Sequence, residues 1–261
     1  MPQMDHQVPS FEAPPPADIA ESIEALMADA PLSAAMAALL FDPERQAAAA
    51  AAERTLRELD WANLGRYQQA NAASTASGQP PGIVFMGDSI SELWQFGDPG
   101  LFTAGRLCRG ISGQTTPQML LRFQSDVIDL RPRAVHLLAG ANDIGGRTGP
   151  TTPRRVQQNI TAMLSLAKAA GIDVVLGLLT PAAVALWTPD LDRRPWIAEL
   201  NAWLRQVAGQ YGCTLIDYHS VLDDGAGGLP AQYSQDGLHP NRRGYARMRS
   251  VLEPVLDRLG V

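Results

Sequence analysis

Five short runs of apolar residues recur from residue 83 onward, and amphipathic helical patterns separate them. The runs are Ile83–Met86, Leu107–Ile111, Ala134–Ala139, Val174–Leu179 and Thr214–Tyr218, of which Leu107–Ile111 is the weakest. A strand that is apolar at successive positions has both faces covered, as in a parallel sheet packed between helices. Thr116-Pro117 reads as an N-cap followed by proline at the first helical position, in a segment closed by Pro132, and Thr152-Pro153 repeats the device. Val156, Ile160, Met163, Leu164 and Ala167 then hold a helical stripe up to Gly171. Ile197, Leu200, Leu204 and Val207 form another before Gly212, and Tyr245, Met248, Leu252, Val255 and Leu259 a last one, disturbed at Pro254. Strand and helix alternating in this way predict an α/β fold, a three-layer α/β/α sandwich around a five-stranded parallel sheet, over residues 81–261.

Residues 1–80 read as an appended N-terminal segment. Pro2, Pro9 and Pro14–Pro16 predict a loose, disordered start, and helix formers take over from Pro31, including Ala47–Ala52 and the stretch up to Trp61. Leu56, Leu59 and Leu64 suggest a docking stripe, and Ser74–Gly82 a linker. Helices of this kind could cap the core or join copies into a homo-oligomer, and the sequence favours neither. A formal charge of −6 argues against a nucleic-acid partner, and the Arg pairs at 154–155, 193–194 and 242–243 read as solvated helix faces. Two cysteines, Cys108 and Cys213, are too few for a disulfide framework and suit no zinc site. Neither a signal peptide nor an apolar run of membrane-spanning length is visible. The expectation is a soluble protein of unassigned compartment, since secretion or periplasmic export with loss of a leader would leave the same sequence.

In open parallel sheets ligands bind beyond the carboxyl ends of the strands. Those ends carry Gly87-Asp88-Ser89, then Gly110-Ile111-Ser112-Gly113-Gln114, then Gly140-Ala141-Asn142-Asp143, and beyond the fifth strand Asp236-Gly237-Leu238-His239. A hydroxyl, glycine turns, a side-chain amide and an Asp/His pair therefore meet on one edge. Serine is a weak nucleophile that needs an adjacent base, His239 titrates in the right range, and Asp236 three residues earlier can reach its other ring nitrogen.

The motifs IVFMGDSISELW (83–94), RGISGQTT (109–116), LLAGAND (137–143) and DGLHPN (236–241) occur in that order. On them, over about residues 82 to 250, the chain resembles the SGNH (GDSL-like) superfamily of serine ester hydrolases. The resemblance implies a flavodoxin-like sheet of order 2-1-3-4-5 and hydrolysis of an acyl ester through an acyl-serine, with no cofactor and no metal. It implies Ser89 as nucleophile, His239 as base and Asp236 as its partner. The Ser89 and Gly113 backbone N–H groups and the Asn142 side chain would be oxyanion donors. Similar proteins include acetylesterases, arylesterases, lysophospholipases, thioesterases and carbohydrate deacetylases, so the substrate is a small-molecule or carbohydrate ester. One departure is Cys108, where many relatives carry Asn before the Arg-Gly of the second motif. The implied strand order sets Cys108 and Cys213 on opposite edges, so both are expected to stay unpaired.

Plainer readings stand beside these. His136 inside an apolar strand is a core histidine, His6 is incidental, Asp88 is a scaffold residue, and Ser112 is a rival hydroxyl in a glycine turn. His219, with Asp217 two positions earlier in an extended strand, competes for the role of base. Asp217, His219, Asp236 and His239 could instead be metal ligands of a metal-assisted hydrolase. A silent module that binds acylated glycans is a further alternative. Most of the aromatic residues are core. Trp94, soon after Ser89, and Trp187, in the long loop after the fourth strand, are candidates for substrate contact. Crowding by Trp94 favours a short acyl group, acetyl above all.

Overall fold

The computed structural model describes residues 17–40, 42–103 and 105–261, and the proline-rich start and His6 lie outside them. Four helices come first: α1 (Ala17–Met27), α2 (Ala34–Leu40), α3 (Pro43–Leu59) and α4 (Gln68–Ala76). Then follow β1 (Ile83–Gly87), α5 (Ser89–Gly97), β2 (Arg106–Gly110), α6 (Thr116–Asp126), β3 (Ala134–Leu138), α7 (Ala141–Ile144) and α8 (Pro153–Ala169). The chain ends with β4 (Asp173–Gly177), α9 (Arg194–Tyr211), β5 (Thr214–Ile216), α10 (Tyr218–Leu222) and α11 (Arg242–Leu259).

The five strands form one parallel sheet in the order β2-β1-β3-β4-β5. β1 and β3 are buried at every position, as their unbroken apolar runs require. Helices α6, α8 and α9 pack side by side as one layer, and α5, α11 and α10 form the other. Because the chain leaves β1 toward β2 and returns to β3 on the opposite side, the strand order reverses at β1. The crevice beyond the carboxyl ends of β1 and β3 is the place such a sheet reserves for a ligand.

Several boundaries differ from the sequence reading. β5 stops at Ile216, because the Asp217 carboxylate accepts the Ser220 N–H at 2.9 Å and caps α10. His219 is therefore helical and shares no strand face with Asp217. The N-cap of α6 is Thr115, one residue early, within a capping box completed by Gln118. α11 runs on through Pro254. A helix exists already at Ala17–Met27, before the Pro31 onset read from composition.

His136 is a core residue: it is fully buried against Phe85 and Trp94, and its Nε2 lies 2.8 Å from the Tyr218 hydroxyl. Burial pushes it down to about 3, so the ring is neutral. Cys108 and Cys213 are both free thiols, with β2 and β5 on opposite edges. The Cys108 thiol donates to the Ser91 carbonyl at 3.4 Å, a weak tie between β2 and α5. The segment before β1 is knitted into the same edge. Tyr67 Oη donates to the Gly110 carbonyl at 2.5 Å, Gln114 Nε2 to the Ala62 carbonyl at 2.7 Å, and Asn71 Nδ2 to Asp126 at 2.7 Å. Among the described residues no helix is long and apolar enough to cross a membrane.

Candidate active site

The first strand ends in a turn that admits only glycine at 87. A Cβ there would sit 2.1 Å from Ser91 Oγ and 2.7 Å from the Leu138 carbonyl. Asp88 caps α5 by accepting the Ile90 N–H at 3.0 Å. Burial raises its carboxyl to about 6, against the pull of the Ile90 N–H and the charge of His239. Ser89 then opens the helix, with its N–H among the first-turn donors that have no intrahelical partner.

Across the crevice, the segment before α11 brings His239 to Ser89. Ser89 Oγ lies 2.9 Å from His239 Nε2, and His239 Nδ1 lies 2.6 Å from Asp236 Oδ2. The same oxygen accepts Trp187 Nε1–H at 2.6 Å, while Oδ1 accepts the Leu238 and His239 N–H groups at 2.9 and 2.8 Å. Burial opposes ionisation of Asp236. The charge of His239 and these donors outweigh it, and the carboxyl is held well below the usual carboxylate range. Burial likewise opposes protonation of His239, but the Asp236 carboxylate prevails and its pKa is raised, with Asp88 adding to the rise and Arg147 opposing it.

The turn after β2 places Gly113 with φ +77°, a left-handed conformation suited to glycine. The Arg147 guanidinium lies directly over it, 2.7 Å from where a Cβ would stand. Asn142, on α7 just beyond β3, donates from Nδ2 to the Gln114 carbonyl at 3.1 Å. Its neighbour Asp143 is anchored by the Thr116 N–H at 2.9 Å and the Thr116 hydroxyl at 2.7 Å.

Beneath these turns lies a residue the sequence reading passed over. Arg122 is fully buried and donates to the Gly87 carbonyl at 3.0 Å, the Arg109 carbonyl at 2.7 Å, Gln114 Oε1 at 2.5 Å and Asp126 Oδ2 at 2.9 Å. One guanidinium thus ties the ends of β1 and β2 to the turn that holds Gly113. Arg122→Met is expected to cost about 3–5 kcal/mol, because it leaves Asp126 buried without its cation. A urea titration reads this as a lower midpoint with an unchanged slope.

Ser89, Gly113, Asn142, His239 and Trp187 all line one cavity of about 970 Å³. Trp94 does not. It points from α5 into the core, at 0% exposure, and stacks on Tyr245 at 5.5 Å with Phe85 and Tyr218 at its edges. The substrate contact expected of Trp94 is therefore corrected, and with it the argument that its ring crowds out long acyl groups. Trp187 lines the cavity and also holds Asp236. Arg193, expected on a solvated face, is buried and donates to the Thr188 hydroxyl. Ser112 is exposed at the cavity rim, with its N–H on Glu92 at 2.6 Å. Among the described residues no three His, Cys, Asp or Glu side chains are grouped as metal ligands would be, and Asp217 is instead engaged by Ser220 and Arg205.

Residues 85–247 match the GDSL-like lipase/acylhydrolase family. The crystal structure of a candidate acylhydrolase from Bacteroides fragilis is similar with a TM-score of 0.71 and 39% identity, over 76% of this chain and 98% of that one. That of a GDSL-like lipase from Bacteroides thetaiotaomicron gives 0.71 and 36%, over 76% and 99%. The esterase TesA of Pseudomonas aeruginosa is 29% identical over 150 residues, 57% of this chain and 68% of that protein. Against an uncharacterized lipoprotein of Bacillus subtilis, YqeF, identity is 26% over 149 residues, and the match spans 49% of this chain and 61% of the lipoprotein.

Proposed function

The chain belongs to the GDSL-like lipase/acylhydrolase family, and from that premise we propose that it hydrolyses a carboxylic ester through an acyl intermediate on Ser89. The observation that carries this reading is the unbroken hydrogen-bonded chain from Ser89 Oγ through His239 to the Asp236 carboxylate, opening on the cavity. His239 Nε2 takes the hydroxyl proton as Oγ attacks the ester carbonyl, and returns it to the departing alcohol. Asp236 keeps the other ring proton on Nδ1 and stabilises the imidazolium. The negative charge that develops on the carbonyl oxygen is received by the Ser89 and Gly113 N–H groups and by Asn142 Nδ2, fixed donors whose individual loss typically costs about 3–4 kcal/mol in the transition state. Water then attacks the acyl-serine with the same histidine as base.

The proton inventory sets the pH dependence. Only neutral His239 can accept the serine proton, so kcat/KM must rise with pH as the ring deprotonates. Because the Asp236 carboxylate raises the pKa of His239 despite burial, the midpoint is expected above the ordinary histidine value of 6.5. Hydrolysis of p-nitrophenyl butyrate between pH 5 and 9, corrected for the spontaneous reaction, measures it. A profile that is flat, or that falls with rising pH across this range, is incompatible with His239 as general base.

A further inference from the structure

The family match begins at residue 85, yet the cavity that holds Ser89 is partly walled by a helix far upstream. α1 presents Ile19, Ser22, Ile23 and Leu26 to it, at the i, i+3, i+4, i+7 spacing of a single helical face. On α5, Leu93 and Phe96 also line the cavity, four and seven residues after Ser89, on the face the serine itself occupies. An apolar path therefore runs from the nucleophile along α5 to α1. The turns after β2 and β3 contribute polar lining at Gly113, Asn142 and Arg147, and further charged groups, Arg66, Glu92 and Arg193, stand elsewhere on the wall.

The far end of α1 is fastened to the segment that carries Asp236 and His239. Arg242 pairs with both Glu24 carboxylate oxygens at 2.7 and 2.8 Å and donates to the Met27 carbonyl at 3.3 Å. Gln235 Nε2 donates to the Ala28 and Ala30 carbonyls at 2.5 and 2.8 Å, and the Arg243 N–H to Asp29 at 3.1 Å. The helix is thus held in register with the reacting groups.

We propose that α1 is the outer wall of an acyl-chain subsite and that Ile23 sets the length of chain accepted, so that the enzyme acts on esters of medium-length acyl groups rather than on acetyl esters. This rests on Ser89 being the residue that is acylated. A cavity of about 970 Å³ lies at the upper end of small-ligand sites and far exceeds an acetyl group. Each methylene buried against such a wall favours the bound chain roughly fourfold.

The test compares kcat/KM for p-nitrophenyl acetate, octanoate and dodecanoate in wild type, Ile23→Trp and Ile23→Ala. Wild type is expected to prefer octanoate to acetate at least tenfold. Ile23→Trp should lower the octanoate-to-acetate ratio at least tenfold, and Ile23→Ala should raise the dodecanoate-to-octanoate ratio. Loss of folding cannot produce shifts in opposite directions. A wild type that prefers acetate, or a profile unmoved by both substitutions, overturns the proposal. Calorimetric binding of decanoate to Ser89→Ala, with and without Ile23→Trp, reads the subsite apart from the chemistry. Binding weakened at least tenfold by Ile23→Trp supports the wall even if Ser89→Ala were to retain hydrolysis, which would refute the serine reading alone. Decanoate that fails to bind, or binds equally to both, removes the wall.

Discussion

Ser89→Ala is expected to lower kcat for ester hydrolysis by roughly five to six orders of magnitude while leaving the fold intact. The substitution removes one oxygen at the first position of α5. The helix keeps its cap, because that cap is the Asp88 carboxylate on the Ile90 N–H and not the serine hydroxyl. What remains, the N–H groups of residues 89 and 113, the Asn142 amide and the binding cavity, can orient an ester but offers it no nucleophile. A fluorophosphonate should label the wild type once, on the peptide containing Ser89, and leave the variant unmodified, with circular dichroism unchanged. Undiminished turnover in the variant would move the nucleophile elsewhere, with Ser112 one of the other hydroxyls on the cavity.

Asp236→Asn is expected to cost about four orders of magnitude in kcat at neutral pH. The size of the effect comes from the number of donors that converge on one carboxylate. Oδ2 alone accepts both His239 Nδ1–H and Trp187 Nε1–H, each at 2.6 Å. An amide cannot accept all of these bonds. If its NH₂ faces the histidine, Nδ1 must become the acceptor and the ring proton moves to Nε2, where the base is needed. Trp187→Phe removes a single donor and keeps the carboxylate, so its effect on kcat should be much smaller, about tenfold. Steady-state kinetics on the two variants separate the roles. Equal losses would mean that Trp187 is as necessary as the carboxylate, and negligible loss in Asp236→Asn would mean that His239 is oriented by something else.

The middle of the sheet was legible because its strands are buried on both faces. No polar residue can occupy such positions without a partner, so β1 and β4 stand out as apolar runs, as does β3, where His136 has the Tyr218 hydroxyl. The residues of the crevice were legible because strand ends in this topology converge on one edge, and short motifs mark them. Other features escaped because their meaning is tertiary. Arg122 and Asp126, four apart on a helix, look like an ordinary solvated pair until β1 and β2 close over them. Trp94 follows Ser89 closely in the chain, but its place on α5 turns it toward Tyr245 rather than the cavity. α1 is eleven residues long and directly follows a proline run, so composition hid it, although the Ile19, Ile23 and Leu26 stripe was there to be read. β5 was overextended because the local bond from Ser220 to Asp217 ends it, and side-chain capping is weakly encoded in hydropathy.

Ser89 and His239 stand 150 positions apart along the chain, and that separation has a bearing on how the protein comes into being. During synthesis the serine leaves the ribosome long before the histidine has been translated, and a nascent chain holding β1 to β5 is still without the proposed base. The two meet only once the start of α11 has docked beside α5, through Tyr245 Oη on the Ile90 carbonyl at 2.9 Å. On the proposed mechanism, the growing polypeptide is inert toward esters until α11 is in place. On refolding, the return of hydrolysis should trail the return of helical ellipticity, since parallel pairing of distant segments is slow. Turnover is then a reporter of the finished topology, distinct from secondary structure alone.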